Sequence, residues 1–211
     1  MSARIAILAS GGGSNVQALI DHFAGDARSA GTIVWVGSNR EDAGALRRAH
    51  DAQLPTGVVH DPSNAIVLRR QLADAGADLL VLAGYLKLVP AAVVQHFRGR
   101  IVNVHPSLLP AFGGEGMYGL RVHAAVIAAG ARVSGATVHF VDEHYDRGAI
   151  AAQWPVPVFT HDTAELLAAR VLRVEHQLLP RTVEAVASGR VSLSSDGRLV
   201  GDVALPDFAA L

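Results

Sequence analysis

The chain is expected to fold as an α/β domain, with a mostly parallel central sheet, helices on both faces and an antiparallel portion in its C-terminal half. Three observations predict this. Short apolar runs alternate with stretches of helical periodicity through the first hundred residues, the pattern of parallel strands joined by right-handed crossovers. Arg4–Ala9 and Asp78–Ala83 are almost uninterrupted apolar runs, as buried strands must be. After residue 130, Val133–Val141 and Ile150–Phe159 are longer strand-like segments separated only by a charged loop, which suits an antiparallel or mixed pairing.

The elements follow in order. Arg4–Ala9 leads to a helix over Ser14–Phe23, where Val16, Leu19, Ile20 and Phe23 recur at helical spacing. A strand at Thr32–Val36 precedes a helix at Asp42–Asp51. A strand at Thr56–His60 precedes a helix at Ser63–Ala75, opened by Asp61-Pro62-Ser63. Asp78–Ala83 is followed by a short helix after Pro90. Next comes Arg100-Ile101-Val102-Asn103-Val104-His105-Pro106, an apolar strand that Pro106 ends. The last long helix is expected to start from an Asp162–Glu165 capping box. Its apolar stripe runs through Leu166, Leu167, Val171, Val174 and Leu178, with a kink or interruption at Pro180 and a stop at Gly189. The tail from Ser194 is turn-rich and expected to be peripheral.

With 211 residues, half of them hydrophobic, the chain can bury a sizeable core as one domain or two tightly joined halves. A net charge of −1 and a pI near 6.8 leave no electrostatic footprint for nucleic acid or an anionic membrane. The absence of cysteine excludes disulfides, thiolate nucleophiles and cysteine-held metals, and fits a cytoplasmic setting. The N-terminal apolar run is too short for a signal sequence, and every apolar run is too short for a membrane span. A soluble protein is expected.

Chemistry gathers in three places. Asn103 and His105 lie two apart on one strand, so their side chains leave the same face at a strand end, where open α/β sheets bind ligands. A buried strand with a solvated end gives the same pattern. Ser10-Gly11-Gly12-Gly13-Ser14-Asn15 joins the first strand to the first helix. Glycines let the backbone approach a ligand closely, and the helix start attracts an anion. No Lys follows, so this is not a Walker A loop, and Val16 stands where a dinucleotide fingerprint needs glycine. A single phosphate is therefore favoured over a dinucleotide, and by the loop's position in the fold over a plain turn with Ser14 or Asn15 as N-cap. The third place is Asp142-Glu143-His144-Tyr145-Asp146, after a strand. It is either a solvated hairpin loop or, at Asp146, a carboxylate folding back toward His105, where it would raise the imidazole pKa. His139 and His144 lack the spacing of a zinc site, so no metal is expected. No Gly-x-Ser-x-Gly elbow marks a serine hydrolase.

Taken together, Gly11–Asn15, Leu82-Ala83-Gly84-Tyr85-Leu86-Lys87, Asn103-Val104-His105-Pro106-Ser107-Leu108-Leu109-Pro110, Thr137-Val138-His139-Phe140-Val141-Asp142-Glu143 through Asp146, and Arg170-Val171 through Glu175-His176 closely resemble the phosphoribosylglycinamide formyltransferases. The motifs occur in family order and span nearly the whole chain. The resemblance implies a Rossmann-like formyltransferase fold, as one domain over 1–211. Within it, 1–100 forms the nucleotide half and 101–211 the catalytic and folate-binding half. It also implies formyl transfer from 10-formyltetrahydrofolate, a co-substrate, to glycinamide ribonucleotide, without a metal, by a monomer or homodimer.

By the same resemblance Asn103, His105 and Asp146 would be the catalytic trio. Gly13, Ser14 and Asn15 would hold the ribonucleotide phosphate, and Glu175 its glycinamide end. Leu86, Lys87, Leu88 and Val89, with Asn103 and the loop Asp142, Glu143, His144, Tyr145 and Asp146, would line the folate pocket. Three departures stand out. Ser63-Asn64-Ala65 replaces a usual folate-tail Arg, the 113–121 segment is longer than the family's connection, and Leu172 replaces a polar contact of some relatives. The alternative activity is a 10-formyltetrahydrofolate-using transferase or hydrolase with another acceptor. From a different class, a catalytically silent anion-binding module would explain the glycine loop but not Asn103, His105 and Asp146.

Overall fold

The computed structural model describes residues 2–24 and 29–205. A seven-stranded sheet carries the chain, in the order β3-β2-β1-β4-β5-β6-β7. Its strands are β1 (Ala3–Ala9), β2 (Gly31–Ser38), β3 (Thr56–Val58), β4 (Leu79–Leu82), β5 (Ile101–His105), β6 (Val133–Phe140) and β7 (Ile150–Pro157). β1 to β5 pair in parallel, while β5–β6 and β6–β7 are antiparallel. The expected fold class is borne out.

Period-two alternation in the parallel strands feeds two cores. Ile5, Ile7 and Ala9 of β1, with Leu79 and Val81 of β4, face one side of the sheet. There they meet α1 (Ser14–Ala24), α2 (Gly44–Asp51), α5 (Leu120–Ala128) and α6 (Ala164–Ala187). Ala6, Leu8, Leu80 and Leu82 face the other side, against α3 (Ala65–Asp74) and α4 (Ala91–His96). Covering both faces explains why these strands read as continuous apolar runs. Each fully buried leucine or isoleucine stabilises the fold by about 1.5–3 kcal/mol.

Several local expectations need correction. The α6 N-cap is Thr163, whose side chain accepts from the Leu166 N–H. Asp162 instead accepts from the Phe159 N–H and forms a two-pronged pair with Arg170. Leu166, placed in the apolar stripe, is exposed, whereas Leu167, Val171, Val174 and Leu178 are buried as expected. The helix also runs through Pro180 without ending, because buried neighbours Leu178, Leu179 and Val183 hold it against the core. Asn64, not the Asp-Pro-Ser start, caps α3. The tail from Ser194 is less peripheral than expected. β8 (Ser192–Leu193) and β9 (Leu199–Val200) pair as a ribbon, and Leu193, Leu199 and Val203 pack on the core. The rest of that tail, after residue 205, lies outside the described residues.

The strand order reverses between β1 and β4, so the loops leaving their C-terminal ends diverge and open a crevice, the usual ligand position in such sheets. Ser10, just past β1, stitches the two loops together. Its N–H donates to the Gly84 carbonyl at 3.0 Å, and its Oγ accepts from the Leu86 N–H at 2.9 Å while donating to Asn39 Oδ1 at 2.6 Å.

Candidate active site

A cavity of about 680 Å³ fills this crevice, within the range of small-molecule sites. Leu86, Lys87, Leu88 and Val89, after β4, form one wall; Asn103 and His105, on β5, lie in its floor. The 114–121 segment and His123 of α5 form another wall, with His144, Tyr145 and Asp146, and Asn15 and Glu175 bound the cavity from α1 and α6. Gly13 and Ser14 sit just outside this lining. Asp142 and Glu143 also do not line the cavity: Asp142 accepts from the His144 N–H, and Glu143 accepts from Gln95 Nε2.

Antiparallel register sets the polar floor. β6 pairs its His139 with Asn103 of β5, so both side chains leave one face of the sheet. His139 Nδ1 lies 2.8 Å from the Phe140 carbonyl, an acceptor only, so this nitrogen carries the hydrogen. Nε2 is then the acceptor for Asn103 Nδ2 at 3.1 Å. The second hydrogen of that amide points to Asp146 Oδ1 at 3.4 Å, a contact near the limit of a hydrogen bond.

His105 is held the same way. Its Nε2 donates to the Phe112 carbonyl at 2.9 Å, and its Nδ1 faces Asp146 Oδ2 at 3.4 Å. The sequence placed Asp146 on a loop that could fold back; here it reaches both members of the Asn103–His105 pair. Asp146 has φ +54°, a left-handed conformation that is uncommon for a residue with a side chain, and the Gly114 N–H donates to its Oδ2 at 2.9 Å.

The electrostatics differ from the expected rise at His105. Burial depresses the His105 pKa and outweighs the opposing pull of Asp146 and the Phe112 carbonyl; the nearby His139 adds to the depression. Burial alone would raise Asp146, but the His105 imidazole and the Gly114 N–H help to hold its carboxyl below the ordinary value. The carboxylate therefore carries the charge of this cluster near neutral pH. Glu175 behaves oppositely: burial pushes its carboxyl up, although Asn15 Nδ2 donates to it at 2.7 Å.

Among the described residues, three buried polar atoms on the cavity lining have no partner: Asn15 Oδ1, Tyr85 Oη and His123 Nδ1. Unpaired buried polar groups cost about 1–3 kcal/mol each, which a polar ligand in the cavity would relieve. Burial drives the Tyr85 hydroxyl up to about 12 and, together with His105, the His123 imidazole down to about 4, so both sit uncharged against the cavity.

His139, the Phe112 carbonyl and the Gly114 N–H were not among the sequence-derived site residues. Only His139 left a trace, as a histidine on a strand, and its role depends on a register that no local signal fixes.

A family model described as "Formyl transferase" matches residues 3–183. Among curated relatives, the chloroplastic phosphoribosylglycinamide formyltransferase of Vigna unguiculata is 45% identical over 203 residues, covering 92% of this chain and 64% of that protein. The chain thus spans just under two thirds of this relative. The phosphoribosylglycinamide formyltransferase of Haemophilus influenzae is 38% identical over 210 residues, covering 96% of each chain. Among solved structures, the phosphoribosylglycinamide formyltransferase of Anaplasma phagocytophilum superposes with a TM-score of 0.87 at 34% identity, covering 99% of this chain and 97% of that one. The cluster around Asp146 lies wholly within the segment the family model matches, and the chain belongs to the formyl transferase family.

Proposed function

We propose that this chain transfers the formyl group of 10-formyltetrahydrofolate to the amine of glycinamide ribonucleotide, giving formylglycinamide ribonucleotide and tetrahydrofolate in purine biosynthesis. One observation carries the reading. Asn103, His105, His139 and Asp146 converge through contacts of 3.1–3.5 Å on the floor of a cavity that Asn15 and Glu175 also line. Such a floor suits attack of an amine on a formyl carbonyl, where negative charge develops on oxygen and a proton must leave nitrogen.

The residues divide the work. The Asn103 amide hydrogen that only weakly meets Asp146 is the donor free to turn to the developing oxyanion; losing one such donor costs about 2.7–4 kcal/mol of barrier. Asp146, ionised, accepts the proton that the attacking amine loses, directly or through water. His105 turns its Nδ1 to Asp146 and stays aligned through its Nε2–H on Phe112. The leaving folate nitrogen gains the proton the amine gave up, so the reaction balances without an external acid. Glu175 and Asn15, with Gly13 and Ser14, hold the ribonucleotide, and Leu86–Val89 with His144 and Tyr145 hold the folate. The folate side therefore draws on both halves of the chain.

None of the described helices is long and apolar enough to cross a membrane. We place the reaction in the cytoplasm, on a monomer or homodimer.

The test supplies glycinamide ribonucleotide and 10-formyltetrahydrofolate and follows formylated nucleotide. Stoichiometric formylation is expected. Release of formate to water, or transfer to methionyl-tRNA, with no formylated nucleotide would overturn the reading.

A further inference from the structure

The glycine loop after β1 is held from outside. The Gly11 carbonyl accepts from the Ala45 N–H at 3.1 Å, the Gly12 carbonyl from Arg48 Nε at 2.9 Å and the Gly13 carbonyl from the Gln17 N–H at 2.9 Å. Two of these three donors belong to α2, not to the helix the loop opens. Arg48 Nη1 also reaches Gln17 Oε1 at 3.3 Å, tying α2 to α1 across the loop.

The packing here is backbone against backbone. A side chain at Gly44 would meet the Gly12 oxygen at 2.9 Å, and one at Gly13, which has φ +75°, would meet Ala45 Cα at 2.5 Å. The loop cannot slide along α2 to find other partners.

In a peptide plane the C=O and the following N–H point in opposite directions. Fixing the carbonyls of Gly11, Gly12 and Gly13 therefore aims the amides of Gly12, Gly13 and Ser14 the other way. Among the described residues none accepts from these three amides. Beside them Asn15, 8% exposed, has its Oδ1 unpartnered and lines the cavity. Successive unpaired amides form an anion-binding nest.

We propose that Arg48 is a positioning residue for the phosphate monoester of the nucleotide, holding the Gly12 carbonyl so that the Gly13 N–H is presented to the anion. This rests on the formyl-transfer reading for the nucleotide's identity, though not for the anion chemistry. Arg48 acts through the loop: its Nε is engaged by Gly12 and one Nη by Gln17, and a rigid fork fits both where an ammonium cannot. His176, on α6, is depressed by burial and by the nearby Arg48 charge.

Three variants test this: Arg48→Met, Arg48→Lys and Gln17→Leu, the last removing the guanidinium's second anchor. For Arg48→Met, the KM for glycinamide ribonucleotide is expected to rise about tenfold. Its kcat and the KM for 10-formyltetrahydrofolate should stay within about twofold of the parent, the signature of lost ground-state binding. Inorganic phosphate should slow amide hydrogen exchange over residues 11–15 in the nucleotide-free parent and fail to do so in nucleotide-free Arg48→Met. Arg48→Lys should recover less than half of the effect, and Gln17→Leu should show a smaller change in the same direction.

Parental behaviour of Arg48→Lys would show that charge alone matters and overturn the proposal, as would full phosphate protection of the loop amides in Arg48→Met. The two readings fail separately. A parent protein that forms no formylated nucleotide, yet loses phosphate protection in Arg48→Met, removes the activity and keeps the role of Arg48. Normal transfer with an inert Arg48→Met does the reverse.

Discussion

Nδ1 of His105 lies 3.4 Å from Oδ2 of Asp146, while the other oxygen of the same carboxylate faces Asn103 and His139. One acid therefore serves two polar pairs, and the His105 imidazole, depressed by burial, depends on it for any share of positive charge. In Asp146→Asn the proton acceptor is gone while its shape remains. We expect kcat to fall by about 10²–10⁴, the range of a lost general acid–base group, with the KM for the nucleotide near parental. Initial rates with each substrate varied in turn give both numbers, and near-parental kcat would remove Asp146 from the proton path.

His139 orients the amide that Asn103 offers. Its Nδ1–H is fixed on the Phe140 carbonyl, so its Nε2 must accept, and the Asn103 NH₂ group is pinned toward Asp146. Replacing His139 by Ala frees that amide to flip and point its oxygen at a developing oxyanion. A kcat loss of about tenfold to hundredfold is expected. Because His139 acts through Asn103, the double variant with Asn103→Ala should cost less than the sum of the single changes. Additive losses would show that His139 works independently.

The fold and part of the site were legible because they rest on local patterns. Ile5–Leu8 and Leu79–Leu82 must be covered on both faces, and the Asn103–His105 spacing puts both side chains on one face of β5 whatever surrounds them. The long-range parts were not legible. Whether His139 meets Asn103 is decided by the β5–β6 register, and whether Asp146 reaches His105 by a loop that takes φ +54° and a bond from Gly114. The sign of the His105 shift failed for a related reason. The carboxylate was visible in the sequence, but the depth of burial that outweighs it was not. At α6, Thr163 competes with Asp162 for the cap, and Asp162 is drawn away by Arg170 eight residues on, a partner beyond the reach of a capping motif.

His123 makes the fold sensitive to acid. It is 4% exposed, and burial, aided by His105, lowers its pKa from 6.5 to about 4. Between those values the unfolded chain binds a proton that the folded chain refuses, so stability rises with pH across the window. The contribution is complete above about 6.5 and is lost as pH falls toward about 4. The raised carboxyl of Glu175 works in the opposite sense, so the effect has to be isolated by substitution. In His123→Leu, Tm measured from pH 7 to 4 should fall less steeply than in the parent. Coincident slopes would assign the acid sensitivity elsewhere.

Gly113 tests how tightly the catalytic carboxylate is seated. A methyl group there would meet Leu109 Cδ2 at 2.4 Å and Asp146 Cβ at 3.2 Å, between a buried leucine and the side chain of the acid itself. The leucine terminus can yield, but its surroundings are packed, so overpacking of about 1–3 kcal/mol is expected. The remaining displacement falls on Asp146, whose contacts at 3.4 Å to His105 and Asn103 have no slack. Gly113→Ala should therefore lower Tm modestly and reduce kcat by about tenfold, with the nucleotide KM little changed because Asn15 and Glu175 stand on other elements. Loss of stability with full kcat would show that Leu109 absorbs the methyl and that the carboxylate tolerates its shift.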